Sequence, residues 1–395
     1  MKRKPIASTS WAVWLFAVLV LFSGYPAHSA EPSHFTAATS DSAELRFIEG
    51  LPVITVDGTP EEIGTQLGTL LKQPIAQLLE RHDAFVKGFG FSKPVEMLLK
   101  TGHLMLPRFP ESHRRELEAL VKASGVNVDL LVFGNIMYEM SRFPACSTLT
   151  IERDRSSTAG PLFGRNLDFP TFGFLDKYSL LVVYRPDGKH AFASVTFPGF
   201  FGVASGINDA GLCIAQLEVG KTSEAGPRIN FAGTPVALCF RRIMEECTTI
   251  DEAEKLLREQ KRFIMCNLAI CDRKNAAVFE ITPQSVSRRG AEDGISVCTN
   301  HFRIKGLTVG TNCPRFDKLC EARGQEKLGL PEVGRYLNAV NQGRRTVQTM
   351  IFEPDTLRAH LSFGPLPSSA QPLKPIDLAE LFRGTESTAA VGSSK

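Results

Sequence analysis

Cys146, Arg165 and Asp168 are the residues whose types and spacing could do chemistry. Cys146 is followed by Ser147 and Thr148 and opens an apolar/polar alternation that runs to Ile151. After a polar turn the chain returns through Leu162 and Phe163 into Gly164-Arg165-Asn166-Leu167-Asp168. The pattern predicts a hairpin with a thiol at its start and a guanidinium and a carboxylate on its return strand. A thiolate is a strong nucleophile, and a nearby guanidinium favours it over the thiol. If the thiol attacked its own Ala145-Cys146 bond and water resolved the thioester, the freed α-amine would have a pKa of about 7.7 to 8. Such an amine serves as general base for its own side chain and needs no histidine. Arg165 and Asp168 are three residues apart, so a regular strand sends them to opposite faces; a bulge near Asn166 would bring them together. A plainer reading stands beside this one, with Cys146 a small buried residue and the two charges a solvated pair.

The elements that must hold these residues are of two kinds. Before Pro144 the pattern is mostly helical. Thr59-Pro60-Glu61-Glu62 supplies a cap hydroxyl, an N1 proline and first-turn acids, and Ile75 to Val86, Ser112 to Ser124 and Val128 to Met140 continue at helical spacing. After Cys146 the texture is strands, at Tyr178 to Arg185, Ala191 to Phe197, Val203 to Gly206 and Leu212 to Val219. Helices follow at Pro235 to Cys247 and Thr249 to Gln260, then strands at Ile264 to Cys271, Ala276 to Thr282 and Ile295 to Asn300. A further helix is expected at Pro314 to Ala322 and a last strand pair at Val347 to Phe352 and Ala359 to Phe363. Sheet layers covered by helices follow from this order, an α+β fold.

Lys2, Arg3 and Lys4, an apolar run from Trp11 to Phe22 and the small residues at Ala27 to Ala30 read as a secretory signal peptide, cut after Ser29 or Ala30. The apolar run is too short to span a membrane, so no stable insertion is expected after cleavage. Loss of those three cations takes the formal charge from +3 to 0. That balance excludes a phosphate backbone or an anionic surface as an obvious partner. Nine cysteines are an odd number, and with Cys146 set aside eight remain whose pairing the sequence does not fix. The cysteine and histidine spacings match no zinc pattern, and neither a metal nor a cofactor is expected. No G-x-S-x-G elbow, P-loop or dinucleotide fingerprint occurs. Phe197 to Gly202 is an apolar loop, either an acyl-chain wall or ordinary packing.

Cys146-Ser147 and Gly164-Arg165-Asn166-Leu167-Asp168 resemble the β-chain start of N-terminal-nucleophile (Ntn) hydrolases of the choloylglycine hydrolase, penicillin acyltransferase and acid ceramidase superfamily. Ser205-Gly206-Ile207-Asn208-Asp209-Ala210-Gly211-Leu212 is similar to the family's Gly-x-Asn-x-x-Gly-Leu turn, and Thr299-Asn300-His301 to its Thr-Asn-His strand end. Arg315 falls about where such chains often carry a second arginine. The resemblance covers roughly Phe47 to Gly364, and order and spacing together make it specific.

It implies a four-layer αββα sandwich, with a precursor that cuts itself before Cys146 into an α/β-chain heterodimer. It also implies that Asp168 and Arg165 orient the amine and tune the sulfur, that Asn300 and Asn208 stabilise the oxyanion, and that Arg315 contacts substrate or the nucleophile's surroundings. The expected organisation is a signal peptide over 1–30, a flexible lead-in over 31–45, a helical α-chain segment over 46–145, the hydrolase β-chain over 146–365 and a largely flexible tail over 366–395. The segment between Ala30 and Cys146 is long, as in penicillin acyltransferase and acid ceramidase. The function so implied is an exported thiol hydrolase or acyltransferase acting on a small N-acyl amide with an apolar acyl group. The alternative is a non-catalytic ligand-binding protein on the same scaffold with Cys146 structural. His301, beside Asn300, points to the opposite strand face and is expected to pack rather than react.

Overall fold

The structure, a computed structural model, describes residues 34–88, 102–140, 145–310 and 312–384. The expected signal peptide lies outside the described residues, as does Pro144. In chain order the elements are β1 (Ala38–Ser40), β2 (Ala43–Ile48), β3 (Leu51–Gly58), α1 (Pro60–Leu70), α2 (Lys72–Gly88), α3 (Glu111–Ser124) and α4 (Val128–Met140). Next come β4 (Ser147–Ile151), β5 (Leu162–Asp168), β6 (Leu180–Pro186), β7 (Phe192–Thr196), β8 (Ser205–Asn208), β9 (Cys213–Glu218), α5 (Val236–Glu246) and α6 (Ile250–Glu259). The rest are β10 (Cys266–Cys271), β11 (Ala276–Ile281), β12 (Val286–Gly290), β13 (Ile295–Cys298), α7 (Pro314–Cys320), α8 (Leu330–Ala339), β14 (Thr346–Glu353), β15 (Arg358–Phe363), β16 (Lys374–Asp377) and α9 (Leu378–Arg383).

The strands make two sheets, a ten-stranded one ordered β1-β2-β3-β6-β7-β8-β9-β10-β11-β12 and a six-stranded one ordered β13-β4-β5-β14-β15-β16. Alternation along single strands shows how they stack. Leu180, Val182 and Tyr184 of β6 join one apolar cluster with Leu67, Leu117, Leu120 and Phe240 from the helices, while Leu181 and Val183 join a second with Phe163, Leu167 and Met350 of the other sheet. The second sheet's far face, through Leu149, Ile151 and Ile351, packs on Leu319, Val333 and Leu337 of α7 and α8. Because side chains alternate with period two, both faces of each central strand are buried, and the order helices, sheet, sheet, helices follows. This is the αββα arrangement.

The first helix forms as its residues dictate. Thr59 caps it, its hydroxyl accepting from the Glu62 amide while the Glu62 carboxylate accepts from the Thr59 amide. Gly64 and Gly68 let α3 approach closely; a Cβ on Gly64 would sit 2.1 Å from the Glu116 carbonyl oxygen. Between α3 and α5 lies a buried ion cluster. Arg241 donates to both carboxylate oxygens of Glu116 and, at 2.8 Å, to Glu245, and the Glu245 carboxylate also meets His113 at 3.1 Å and Lys189. Its guanidinium lies 4.8 Å from the Tyr184 ring centre. Burial holds the His113 imidazole below its usual range, against the pull of Glu245.

Three expectations are corrected. The lead-in is not featureless, because β1 and β2 extend the ten-stranded sheet within it. The segment before Cys146 also contributes a strand, β3, which runs parallel to β6 and carries Val53, Ile54 and Val56 into the core. The tail is ordered as far as Gly384: β16 pairs with β15, and Leu378, Leu381 and Phe382 of α9 pack into the cluster between the sheets. In both end segments a few apolar residues among many polar ones suffice, since a sheet edge supplies the hydrogen bonds.

Candidate active site

Cys146 lies just before β4, 6% exposed, in the cluster between the sheets. The β4–β5 register pairs Ser147 with Asn166 and Thr148 with Arg165, so one step further Cys146 stands opposite Leu167. Residues opposite one another share a face, and Arg165 is therefore the diagonal neighbour of Cys146 on the inner side. Each residue of Gly164-Arg165-Asn166-Leu167-Asp168 has a physical reason. A Cβ on Gly164 would meet Val333 of α8 at 2.6 Å. Asn166 faces the same helix, donating to the Leu337 carbonyl at 2.7 Å and accepting from Thr349 at 2.9 Å. Arg165 goes inward and is 0% exposed, and its three guanidinium nitrogens have no hydrogen-bond partner among the described residues.

Asp168 is reached differently from what the strand parity suggested. β5 pairs regularly through Asn166, so the expected bulge there is absent. The irregularity is in the partner strand, between Thr346 and Gln348 of β14, opposite Leu167 and Asp168. The Thr346 hydroxyl donates to one Asp168 carboxylate oxygen, and the other oxygen is buried without a partner. The Asp168 backbone amide favours the Cys146 thiolate. Burial pushes the Asp168 carboxyl up to about 7, against the Thr346 hydrogen bond and the fields of Arg315, Arg165 and Arg345. Burial likewise pushes the Cys146 thiol up, with Arg165 and the Asp168 amide favouring the thiolate and the Asp168 carboxylate opposing it. All nine cysteines are free thiols, so Cys146 is not tied into a disulfide.

Arg315 and Asn300 join this group. The Arg315 Nη1 donates to the Ala145 carbonyl and, at 2.6 Å, to the Cys146 carbonyl, and its Nη2 donates to Asn300 Oδ1 at 3.1 Å. Asn300 Nδ2 donates to the Glu218 carbonyl at 2.8 Å. His301 lies beyond the end of β13, and burial with the charges of Arg303 and Arg315 keeps its imidazole below the usual range.

The structure does not bring the Asn208 side chain into this group. Its amide nitrogen donates to the Met244 and Cys247 carbonyls at the end of α5, and its oxygen accepts from the Leu212 amide at 2.9 Å. Gln348, opposite Leu167, bonds the Thr196 carbonyl, whereas Asn208 pairs with Phe192, four residues back along β7. At 3.3 Å per residue that is roughly 13 Å away. The Gly-x-Asn-x-x-Gly-Leu stretch is a turn that closes a helix end.

Two residues near Cys146 were not singled out by the sequence. Glu218 ends β9 beside Asn300, and its charge acts on both the Cys146 and Tyr138 groups. A charged residue within the mostly apolar run Leu212 to Val219 was the available signal. Tyr138 of α4 stacks on Phe169 at 5.9 Å and meets Phe200 edge-on at 5.0 Å, and burial holds its hydroxyl well above the usual range. Phe197, Phe200 and Phe201 line an apolar cleft with Leu67, Leu71 and Leu120 on the helix side of the ten-stranded sheet. Next to Tyr138, Glu139 accepts from the amides of Val236 and Ala237 at the start of α5, and burial raises its carboxyl to about 8. The folded chain keeps that proton to about pH 8, while the unfolded chain loses it near 4.5, so this group's stabilisation is complete below 4.5 and is lost as pH rises through 8. Glu139→Gln should therefore reduce the fall in stability between pH 5 and 8 by on the order of 4 kcal/mol, read from urea unfolding at stepped pH.

Residues 155–318 match the family model described as acyl-coenzyme A:6-aminopenicillanic acid acyl-transferase. The matched stretch holds Arg165, Asp168, Asn300 and Arg315, and the fold around it has two sheets stacked between helices. The match covers 164 of the 395 residues, a likeness to that family within an αββα fold. Among solved structures, this chain is similar to a mutant conjugated bile acid hydrolase from Clostridium perfringens (15% identity, TM-score 0.43, covering 60% of this chain and 94% of that one). It is also similar to a Caenorhabditis elegans N-acylethanolamine-hydrolyzing acid amidase ortholog (17%, TM-score 0.41, 58% and 97%) and to penicillin V acylase from Agrobacterium tumefaciens (14%, 0.40, 60% and 93%). TM-scores below 0.5 leave these as partial likenesses. An uncharacterized protein of Archaeoglobus fulgidus is 24% identical over 275 residues, a match that spans 61% of this chain and 45% of that relative's length.

Proposed function

We propose that this chain is an exported, self-processing thiol amidase or acyltransferase that forms an acyl-thioester on Cys146. The observation that carries the reading is the setting of the thiol. Cys146 lies at a strand start, with the Asp168 amide favouring its thiolate and the buried Arg165 guanidinium as its diagonal neighbour. A thiol that burial drives up in pKa needs a base, and the α-amine released by a cut at Ala145-Cys146 is the nearest one the covalent structure offers. Asp168, with one oxygen held by Thr346 and the other unpartnered, is suited to hold that amine as an ammonium. Burial keeps the Asp168 carboxyl at about 7 in the uncleaved chain; a new ammonium beside its free oxygen would lower it. Substrates in this reading are small N-acyl amides with an apolar acyl group, and water or an amine takes the acyl group in the second step. Export rests on the basic and apolar pattern of the first thirty residues.

The test is acyl-enzyme trapping. Brief acid quenching after mixing with an activated octanoyl ester should add one octanoyl mass to the fragment that begins at Cys146, and hydroxylamine should remove it. Octanoyl mass on any other residue, or on none, would sink the proposal.

A further inference from the structure

The resemblance gives Asn300 the oxyanion role, yet its amide nitrogen is committed to the Glu218 carbonyl at 2.8 Å. The group that touches the Ala145 carbonyl is Arg315. Its Nη1 bridges the carbonyl of the Ala145-Cys146 peptide itself and that of the next peptide, and its Nη2 is held by Asn300 Oδ1 at 3.1 Å. A relay results, from the Glu218 carbonyl through the Asn300 amide to the guanidinium and on to the peptide. We propose that Arg315 is the catalytic electrophile of self-cleavage, pairing with the oxyanion that forms on Ala145, and that Asn300 is a positioning residue which aims it. The inference rests on the self-processing reading above and assigns its first step.

The step balances as follows. The Cys146 sulfur bonds to the Ala145 carbonyl carbon, and the electron pair of the C=O moves to oxygen, where the cation faces it. The carbonyl re-forms as the bond from carbon to the Cys146 nitrogen breaks, and the thiol proton passes to that nitrogen. Water then adds to the thioester carbon, releasing the Ala145 carboxylate and returning the thiol. A full positive charge already in hydrogen-bond contact with the carbonyl needs no rearrangement when charge develops there, which is why such donors are worth so much in a buried site. Pro314 and the contact of Cys313 Sγ with Thr299 Oγ1 at 3.6 Å fix the start of α7, from which Arg315 projects. Arg315 is thus anchored by elements outside the peptide it acts on.

Cleavage of freshly translated full-length chain, followed on a denaturing gel, tests this. Arg315→Ala should slow fragment appearance by roughly 10²- to 10³-fold, Arg315→Lys should slow it less, and added guanidinium ion should restore the Arg315→Ala rate at least tenfold. A merely structural role would not respond to the free ion. Cleavage of Arg315→Ala within tenfold of wild type overturns the inference. So does an Arg315→Ala chain that melts like wild type and stays uncut with guanidinium present. If Arg315→Ala does not fold, Arg315→Lys decides: no cleavage from a chain that melts like wild type counts against the inference, and slow cleavage supports it. A wild-type chain that never cleaves defeats the self-processing reading itself, and this inference with it; the wild-type lane separates the two failures.

Discussion

Cys146→Ala is expected to leave one uncut chain with amide turnover reduced by about 10⁴-fold or more. The size of the effect follows from one residue holding two roles. In the proposed reading the sulfur bonds the acyl carbon, and the α-amine that would act as its base exists only after the cut the sulfur itself begins. Removing it therefore removes nucleophile and base together, whereas in a serine-histidine pair each can be lost alone. Cys146→Ser separates the parts. The hydroxyl is a poorer nucleophile, but the amine would survive once exposed, so slow processing and weak turnover are expected. The same fold should persist in both, since Cys146 adds little apolar volume to a cluster built on Phe163, Leu167 and Met350. Intact mass and initial rates on an N-octanoyl amide check each outcome.

Arg165→Leu is expected to stabilise the protein while damaging its chemistry. A guanidinium that is 0% exposed with three nitrogens lacking acceptors among the described residues is a standing penalty. Replacing such a group by an apolar side chain of similar reach typically gains roughly 2 to 4 kcal/mol. The same guanidinium is what favours the Cys146 thiolate against burial and the Asp168 carboxylate. Without it the thiol pKa rises further, and one unit means about tenfold less thiolate at a given pH below it. The acylation rate should fall roughly ten- to a hundredfold at neutral pH, and the deficit should narrow as pH rises toward the new thiol pKa. Urea unfolding and a pH–rate profile read the two halves. A variant that is both less stable and uniformly slow across pH would show Arg165 to be a packing residue.

The sequence made the layers legible because apolar alternation changes period where helices give way to strands, at Ala145. It also exposed Cys146, Arg165 and Asp168, since a thiol ahead of a Gly-Arg-Asn-x-Asp run is rare as a pattern. What it hid has physical causes. The place of the Asn208 side chain was hidden because a turn asparagine and an oxyanion donor share one residue type, and its bonds to the carbonyls of Met244 and Cys247 show only in the fold. The irregularity near Asp168 was misplaced because a bulge leaves its trace on whichever strand carries the extra residue, here β14, far along the chain. Glu218 and Tyr138 escaped notice because their relevance comes from the stacking of elements distant in sequence, not from any local spacing. Arg315 was visible, but its contact with the Ala145 carbonyl is a matter of three dimensions alone.

The most direct measurement is N-terminal sequencing with intact mass of the purified wild-type protein. The account predicts two fragments that separate only on denaturation, the larger beginning Cys146-Ser147-Thr148 with a free thiol. A single chain running unbroken through Ala145-Cys146, or a larger fragment that begins at any other residue, would contradict it.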